Sequence, residues 1–473
     1  MGCAWHTAPM PPPFAQTLDR ALVRLRSAFG EVAIEAREAI GAPLRPDLPD
    51  ADLPRLRQRI DACLEGGGGE TARRARAAEL GEAILALSTA GRRKCLALIA
   101  QAYGLDRAGA LAAVDRWREG KADVAALRRA LEPPAVRLFG EFVGLPQGVK
   151  FVVDRRAELM ALGRNDPAAR RLAEDLRRPL ASWFDVAFLD LARIDWKAPA
   201  ALLEKLVAYE AVHAIRNWRD LKNRLDSDRR CFAFFHPRMP EEPLIFVEVA
   251  LVDGLAGDVR ALLDPKAPTR DPRAADTAIF YSISNCQPGL AGVSFGNFLI
   301  KRVALELGRE LPNLKTFATL SPIPGLAAEV DRRLADEGDA LLTAGEIAEL
   351  ATVIDKARGA GAVRSLLDRP RWHEVPAVAK TLRPILTRLA ARYLTATDSA
   401  GRALDRVAHF HLGNGASVER LNWLGDTSAN GLKQSYGLMV NYRYRLADVD
   451  ANHGSYAAGK VVASTEVRRA ARG

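Results

Sequence analysis

Residues 278–307, AIFYSISNCQPGLAGVSFGNFLIKRVALEL, read in order as strand, glycine-punctuated turn and helix. Residues 278–283 are short, apolar and rich in β-branched or aromatic side chains, and the turn behind them carries Gly289, Gly292 and Gly296. Phe295, Phe298, Leu299, Val303 and Leu307 then recur at helical spacing on one face. A helix starting beside Gly292 presents amide groups without intrahelical partners at the positive end of its dipole, so bare glycine backbone there suits a pyrophosphate. The segment lacks the GK[ST] ending of a nucleotide P-loop and the G-x-G-x-x-G dinucleotide spacing. The competing interpretation is a tight strand-to-helix turn whose glycines only relieve crowding.

Working outward, a chain of 473 residues that is 48% hydrophobic can bury large cores and is expected to form two domains. The most apolar stretch, LIFVEVALV at 244–252, is of strand length and interrupted by Glu248, so no membrane span is expected. The opening MGCAWHTAPMPPPF has no basic region followed by an apolar one, which excludes a secretory signal and marks 1–13 as a disordered tail. With no peroxisomal tripeptide in the terminal RRAARG, the expected location is cytoplasmic. Five scattered cysteines without a CxxC spacing point to a reducing compartment and no structural zinc, and Cys286, in the glycine turn, reads as a small neutral turn residue. The net charge of +10 invites a nucleic-acid partner, yet arginines alternate with acids, as in RRLADEGDA at 332–340. A solvated basic surface that also draws a polyanionic small molecule fits better.

From 14 to 180 the sequence is helical, rich in Ala, Leu, Arg and Glu. Leu80, Ile84 and Leu87 mark one helix and Leu96, Ile99 and Tyr103 another, with Gly91 as the break between them. The glycine run at 66–69, with no strand before it, reads as a flexible connection. Pro179 closes the last helix, after which strands are expected at 186–194, 231–236, 244–252, 278–283, 316–320, 407–412 and 437–444. Helices are expected at 199–207, 211–224, 293–307 and 326–335, and PRMPEEP joins the strands at 231–236 and 244–252 into an antiparallel hairpin. The fold class is therefore α+β: an all-helical bundle domain over 14–180, then a mixed-sheet α/β domain over 181–465 with a helical insertion at 340–397.

Two polar constellations accompany the glycine turn. In SPIPG, residues 321–325, the prolines fix the backbone around Ser321, giving its hydroxyl the stiffness a catalytic group needs; a proline-rich corner is the alternative. There is no GxSxG elbow, which argues against a hydrolase nucleophile. In RVAHFHLGNG, read as a strand, alternation places His409 and His411 on one face. A metal pair lacks a third ligand at suitable spacing; a single histidine as proton donor or acceptor at the strand rim stays open, and without a partner residue a merely polar sheet face is the better interpretation.

FYSISNCQPGLAGVSFGNFLIKRV, TFATLSPIPG, HFHLGNGASVERLNWLGDTS and GLMVNYRY, in this order, resemble the malonyl-CoA decarboxylase family. HAIRNWRDLKNRLDSDRRCFAFFHPRMPEEPL at 213–244 and WFDVAFLDL at 183–191 extend the resemblance over 183–444, and more loosely over the helical half. The resemblance implies a helical oligomerisation domain making a dimer or tetramer, and a catalytic domain similar to acetyl-CoA-dependent N-acetyltransferases. It also implies conversion of malonyl-CoA to acetyl-CoA and carbon dioxide without cofactor or metal. Ser321 and His411 match the family's catalytic serine and histidine, and Ser282 and Tyr444 match further polar site positions. Ala291, Gly292, Val293, Ser294, Phe295, Gly296 and Asn297 match its CoA-contacting turn, although some relatives carry glutamate where this chain has Ser294. A CoA-dependent acyltransferase and a non-catalytic malonyl-CoA sensor are the alternatives; neither nucleic acid nor membrane is an expected partner.

Overall fold

The computed structural model of the chain describes residues 43–293, 299–355 and 357–472. The tail expected at 1–13, the first part of the helical region, and Ser294, Phe295, Gly296 and Asn297 lie outside the described residues.

Between Leu53 and Trp183 the chain is helical, as expected, and four of its helix starts are capped by short polar side chains. Ser88, Asp106, Asp123 and Asp166 each accept a backbone N–H from the first turn they precede, satisfying donors that would otherwise be orphaned. Two expected boundaries move. The helix break falls at Leu87–Ser88 rather than at Gly91, which lies in the first turn of Thr89–Ala102. Glycine is required there because a Cβ would sit 2.1 Å from the Pro46 carbonyl oxygen. Pro179 does not close a helix; it occupies the first turn of Arg177–Trp183, where its missing N–H costs nothing. Phe139, Phe142 and Phe151 are fully buried in this domain, with the Phe142 and Phe151 rings 4.7 Å apart.

The second domain is built on one sheet of eight strands among the described residues: β1 (Asp190–Ile194), β2 (Arg229–His236), β3 (Met239–Val252), β4 (Thr277–Asn285), β5 (Thr316–Thr319), β6 (Ser321–Pro322), β7 (Ser417–Asn422) and β8 (Met439–Arg443). Their order is β1-β2-β3-β4-β5-β8-β6, with β7 also on β8. The β2–β3 hairpin is antiparallel, as PRMPEEP led us to expect, and every pair is antiparallel except β4–β5. Helices Ala344–Ala351, Gly359–Leu367 and Pro376–Thr395 fill the stretch expected to be helical.

Two expectations fail, and a third is met over the part described. The strand expected at 407–412 is the helix Arg406–Gly413, because Asp405 accepts the N–H groups of Val407 and Ala408 and caps it. Over so short a run the apolar alternation could not distinguish strand from helix, and the strand comes directly afterwards as β7. The helix expected at 211–224 is confined to Trp218–Arg224, since Glu210 captures the N–H groups of Val212 and His213 and holds that stretch in a turn. The helix expected at 293–307 is described from Leu299 to Glu310.

Two features of the sheet position the site. First, β4 and β5 pair in parallel only from Thr277–Thr316 to Phe280–Thr319, closed by Leu320 N–H donating to the Phe280 carbonyl. Beyond that point β4 stays with β3, whereas Ser321 and Pro322 pair with β8, so the sheet opens between them. Second, Ser282 pairs with Glu248 and Phe280 with Val249, leaving Tyr281 as the extra residue of a β-bulge. The bulge breaks the alternation. Phe280 faces the core shared with Val247, Val249 and the helix Leu299–Glu310. Ser282 and Ser284 share the opposite face with Phe246, toward Leu203, Leu206 and Leu221.

Candidate active site

Thr319 and Ser321 lie two residues apart at the end of β5 and the start of β6, and so share a face; Ser321 Oγ donates to Thr319 Oγ1 at 2.8 Å. Thr319 Oγ1 also accepts the Tyr442 N–H from β8, at 3.0 Å, which fixes its lone pairs. His411, near the end of the helix Arg406–Gly413, brings Nε2 to 3.2 Å from Ser321 Oγ and Nδ1 to 2.8 Å from the Tyr444 hydroxyl. Its ring stacks on Tyr442, with centroids 4.5 Å apart and planes 26° from parallel. The Ser321 proton goes to Thr319, so Ser321 Oγ accepts from an Nε2–H, and Nδ1 accepts from the Tyr444 O–H; the network assigns this tautomer.

Asp405 binds this arrangement together. It is 1% exposed, caps the His411 helix, and accepts the Gly325 N–H of the SPIPG loop at 3.4 Å. Gly325 is glycine because a Cβ would meet the Tyr393 hydroxyl at 2.2 Å. Beyond His411 the helix stops at Asn414 and Gly415, whose φ of 80° places it in the left-handed region.

Burial sets the electrostatics. His411 is 3% exposed and among the described residues has no carboxylate hydrogen-bond partner, so desolvation alone pushes its pKa down to about 3. Desolvation raises the Tyr444 hydroxyl well above its ordinary value. At neutral pH the chain is therefore a neutral imidazole between two neutral hydroxyls, unlike a triad in which a carboxylate stabilises imidazolium.

The remaining site candidates sit elsewhere. His409 does not share a face with His411: two residues along a helix amount to about 200°, and its Nδ1 lies 2.6 Å from the Tyr456 hydroxyl. Ser282 is turned by the bulge to the other face, where its hydroxyl is 2.9 and 2.8 Å from the Glu210 carboxylate oxygens, rather than joining Ser321 and His411. Cys286 is buried against the Ser284 carbonyl with its thiol pushed well up by desolvation, so it stays a neutral thiol. Among the described residues, no group of three or more His, Cys, Asp or Glu could hold a metal ion.

The glycine turn lies at the far end of β4. Pro288–Leu290 forms a 3-10 turn, followed by Ala291 and by Gly292 with a φ of 76°. The crowding interpretation holds at one of its glycines. Gly289 relieves crowding, since its Cβ would lie 1.8 Å from the Val153 carbonyl oxygen of the helical domain, whereas at Gly292 a Cβ would make only an ordinary 3.6 Å contact with Arg177 Cδ and glycine serves the backbone conformation. Sequence reasoning missed Arg156, whose buried guanidinium reaches this turn from the helix Gly148–Leu162. It also missed Thr319, Tyr442, Asp405 and Glu210. Strand alternation from Ser321 could have found Thr319, but nothing local marks the others.

Fold and site together define a two-domain α+β protein of enzyme type, with a desolvated serine–histidine–tyrosine chain where the sheet parts. Residues 187–473 match the malonyl-CoA decarboxylase C-terminal domain family, and residues 103–184 match the corresponding N-terminal domain. The mitochondrial malonyl-CoA decarboxylase of Rattus norvegicus is 37% identical over 398 residues, 80% of this chain and 81% of that protein. The crystal structure of malonyl-CoA decarboxylase from Rhodopseudomonas palustris superposes with a TM-score of 0.79 at 41% identity, covering 88% of this chain and 99% of the other. That from Agrobacterium vitis gives 0.79 at 39%, with the same coverage. The chain belongs to the malonyl-CoA decarboxylase family.

Proposed function

We propose that this protein is a carboxy-lyase that converts malonyl-CoA to acetyl-CoA and carbon dioxide, with Ser321, His411 and Tyr444 as its proton-handling groups. The observation that carries the assignment of residues is the continuous hydrogen-bonded chain from Ser321 through His411 to Tyr444, buried beside the opening between β4 and β5. When the bond to the carboxylate breaks, its electron pair moves onto the thioester oxygen, so the substrate is its own electron sink and the protein need supply no cofactor. Carbon dioxide leaves an enolate whose α-carbon must take one proton. Neutral His411 gives its Nε2–H to that carbon while Tyr444 passes its O–H proton to Nδ1; a solvent proton later enters at Nε2 as the Nδ1 proton returns to the tyrosinate. Ser321, tied to Thr319, holds the imidazole in line.

Ala291, Gly292, Val293, Ser294, Phe295, Gly296 and Asn297 serve as the CoA-contacting turn, and Ser282 lines the opening from the opposite face. Alanine at Ser321 or His411 is expected to lower kcat by roughly 10²- to 10⁴-fold, the usual worth of a positioned acid or base. Turnover within a few-fold of wild type for His411→Ala would overturn the assignment.

The helical domain serves oligomerisation. Helices Arg107–Arg118 and Val124–Leu131 leave Leu111, Trp117, Val124 and Leu131 between 47% and 67% exposed, an apolar face that a second copy of the chain would cover. Light scattering of Leu111→Lys/Trp117→Lys should show a smaller assembly than wild type; an unchanged mass would move the interface elsewhere. Buried free thiols at Cys63, Cys95, Cys231 and Cys286 fit a reducing compartment, the cytoplasm in our reading. No helix among the described residues is long and apolar enough to cross a membrane.

A further inference from the structure

Arg156 belongs to the helical domain, yet its guanidinium is spent on the glycine turn of the sheet domain. It is 2% exposed. Nη1 donates to the carbonyls of Gly289 at 2.5 Å and Ala291 at 3.0 Å, while Nε donates to Ala173 of its own domain at 2.7 Å. Three backbone acceptors surround one planar cation, and among the described residues no carboxylate is its hydrogen-bond partner. Burial lowers its pKa, but a guanidinium remains charged, and such charge-assisted bonds are roughly twice as strong as neutral ones.

The acceptors lie where the backbone has two choices. Val293 N–H donates to the Leu290 carbonyl at 2.9 Å, closing a four-residue turn. Ala291 has φ −57° and ψ 132°, and Gly292 has φ 76°, the geometry of a type II turn with glycine at its third position. Type I closes the same hydrogen bond with the central peptide flipped by about 180°. That peptide joins Ala291 to Gly292, and its carbonyl is the one Arg156 grips. Because a trans peptide directs its C=O and N–H to opposite sides, holding the Ala291 carbonyl toward the helical domain aims the Gly292 N–H away from it. The turn also rests on the helix backbone, since Gly289 is packed too closely on Val153 for any Cβ.

We propose that Arg156 is a positioning residue for CoA binding, locking the 290–293 turn in the type II form so that the Gly292 amide faces the CoA phosphates. This rests on the reading of 291–297 as the CoA-contacting turn. It gives the helical domain a part in substrate affinity as well as in assembly.

The test uses the full chain and the variants Arg156→Met, Arg156→Lys and Gly292→Ala. Steady-state decarboxylation of malonyl-CoA, the Kd of free CoA by calorimetry, and urea unfolding are read for each. Losing two charge-assisted bonds to the turn should raise KM and the CoA Kd about tenfold or more in Arg156→Met, with kcat held within a few-fold. Arg156→Lys, which restores charge but not the fork, should recover part of the affinity. Gly292→Ala has space for its methyl yet disfavours the positive φ, so it should weaken CoA binding without touching Arg156 and keeps the test open if Arg156→Met does not fold. KM and CoA Kd within twofold of wild type in Arg156→Met, or in Arg156→Lys and Gly292→Ala together if Arg156→Met does not fold, would overturn the proposal, as would a fall in kcat alone. If wild type left malonyl-CoA unchanged, the decarboxylase assignment would fall, while the CoA Kd series would still decide the role of Arg156.

Discussion

The protonation state of His411 can be read without measuring catalysis. Burial lowers its pKa from 6.5 to about 3, so the unfolded chain binds a proton there well before the native protein does. Above pH 6.5 neither state is charged at this position and the group contributes nothing to the pH dependence of stability. Below it the unfolded state gains a proton that the native state refuses. Native stability therefore falls by about 1.4 kcal/mol for each pH unit until the folded pKa is reached, or about 2 kcal/mol between pH 6.5 and about pH 5. His411→Gln keeps polar atoms facing Ser321 and Tyr444 but cannot titrate. Urea unfolding of both proteins from about pH 8 down to about pH 5 should give a constant difference at the upper end, then a wild-type loss about 2 kcal/mol larger at the lower end. His213 and His236, whose pKa values burial also lowers, are common to both proteins and drop out of the comparison. A difference that stays constant down to pH 5 would mean that native His411 takes up a proton, and the neutral-imidazole chain would be wrong.

Tyr444→Phe leaves Nδ1 without its hydroxyl partner and removes the proton that refills the imidazole. Its kcat should fall by about tenfold to a hundredfold with KM within a few-fold, and an unchanged kcat in a stopped assay of acetyl-CoA formation would remove Tyr444 from the relay. Gly289→Ala drives a methyl to within 1.8 Å of the Val153 carbonyl, a backbone overlap that no rotamer relieves. A loss of about 3 kcal/mol in denaturant unfolding is expected, whereas wild-type stability would mean that the helical domain and the turn do not touch in solution.

The sheet was legible in the sequence wherever apolar runs were long or paired by a short turn, as in the hairpin of β2 and β3. Ser321 was legible because two prolines stiffen its loop, and His411 because glycine and asparagine end its element. Its secondary structure was not, since RVAHFHL satisfies both a period of two and one helical turn, and only the Asp405 cap decides between them. The bulge at Tyr281 depends on how β3 and β4 pair, so the face that Ser282 takes could not be read from the strand alone. The role of Arg156 could not be read at all. Its partners Gly289 and Ala291 lie 133 and 135 residues away, and an arginine next to Arg155 on a helix carries no local mark.

In the mechanism we propose, this protein removes carbon dioxide from malonyl-CoA and a protein proton reaches the α-carbon. Incubating wild type, Ser321→Ala and His411→Ala with malonyl-CoA in heavy water, with neither metal nor acyl acceptor added, tests it most directly. Wild type should yield equimolar carbon dioxide and acetyl-CoA carrying a single deuterium in its methyl group, at a rate that both variants lose. Malonyl-CoA recovered intact from wild type, or acetyl-CoA formed equally fast by His411→Ala, would contradict the account.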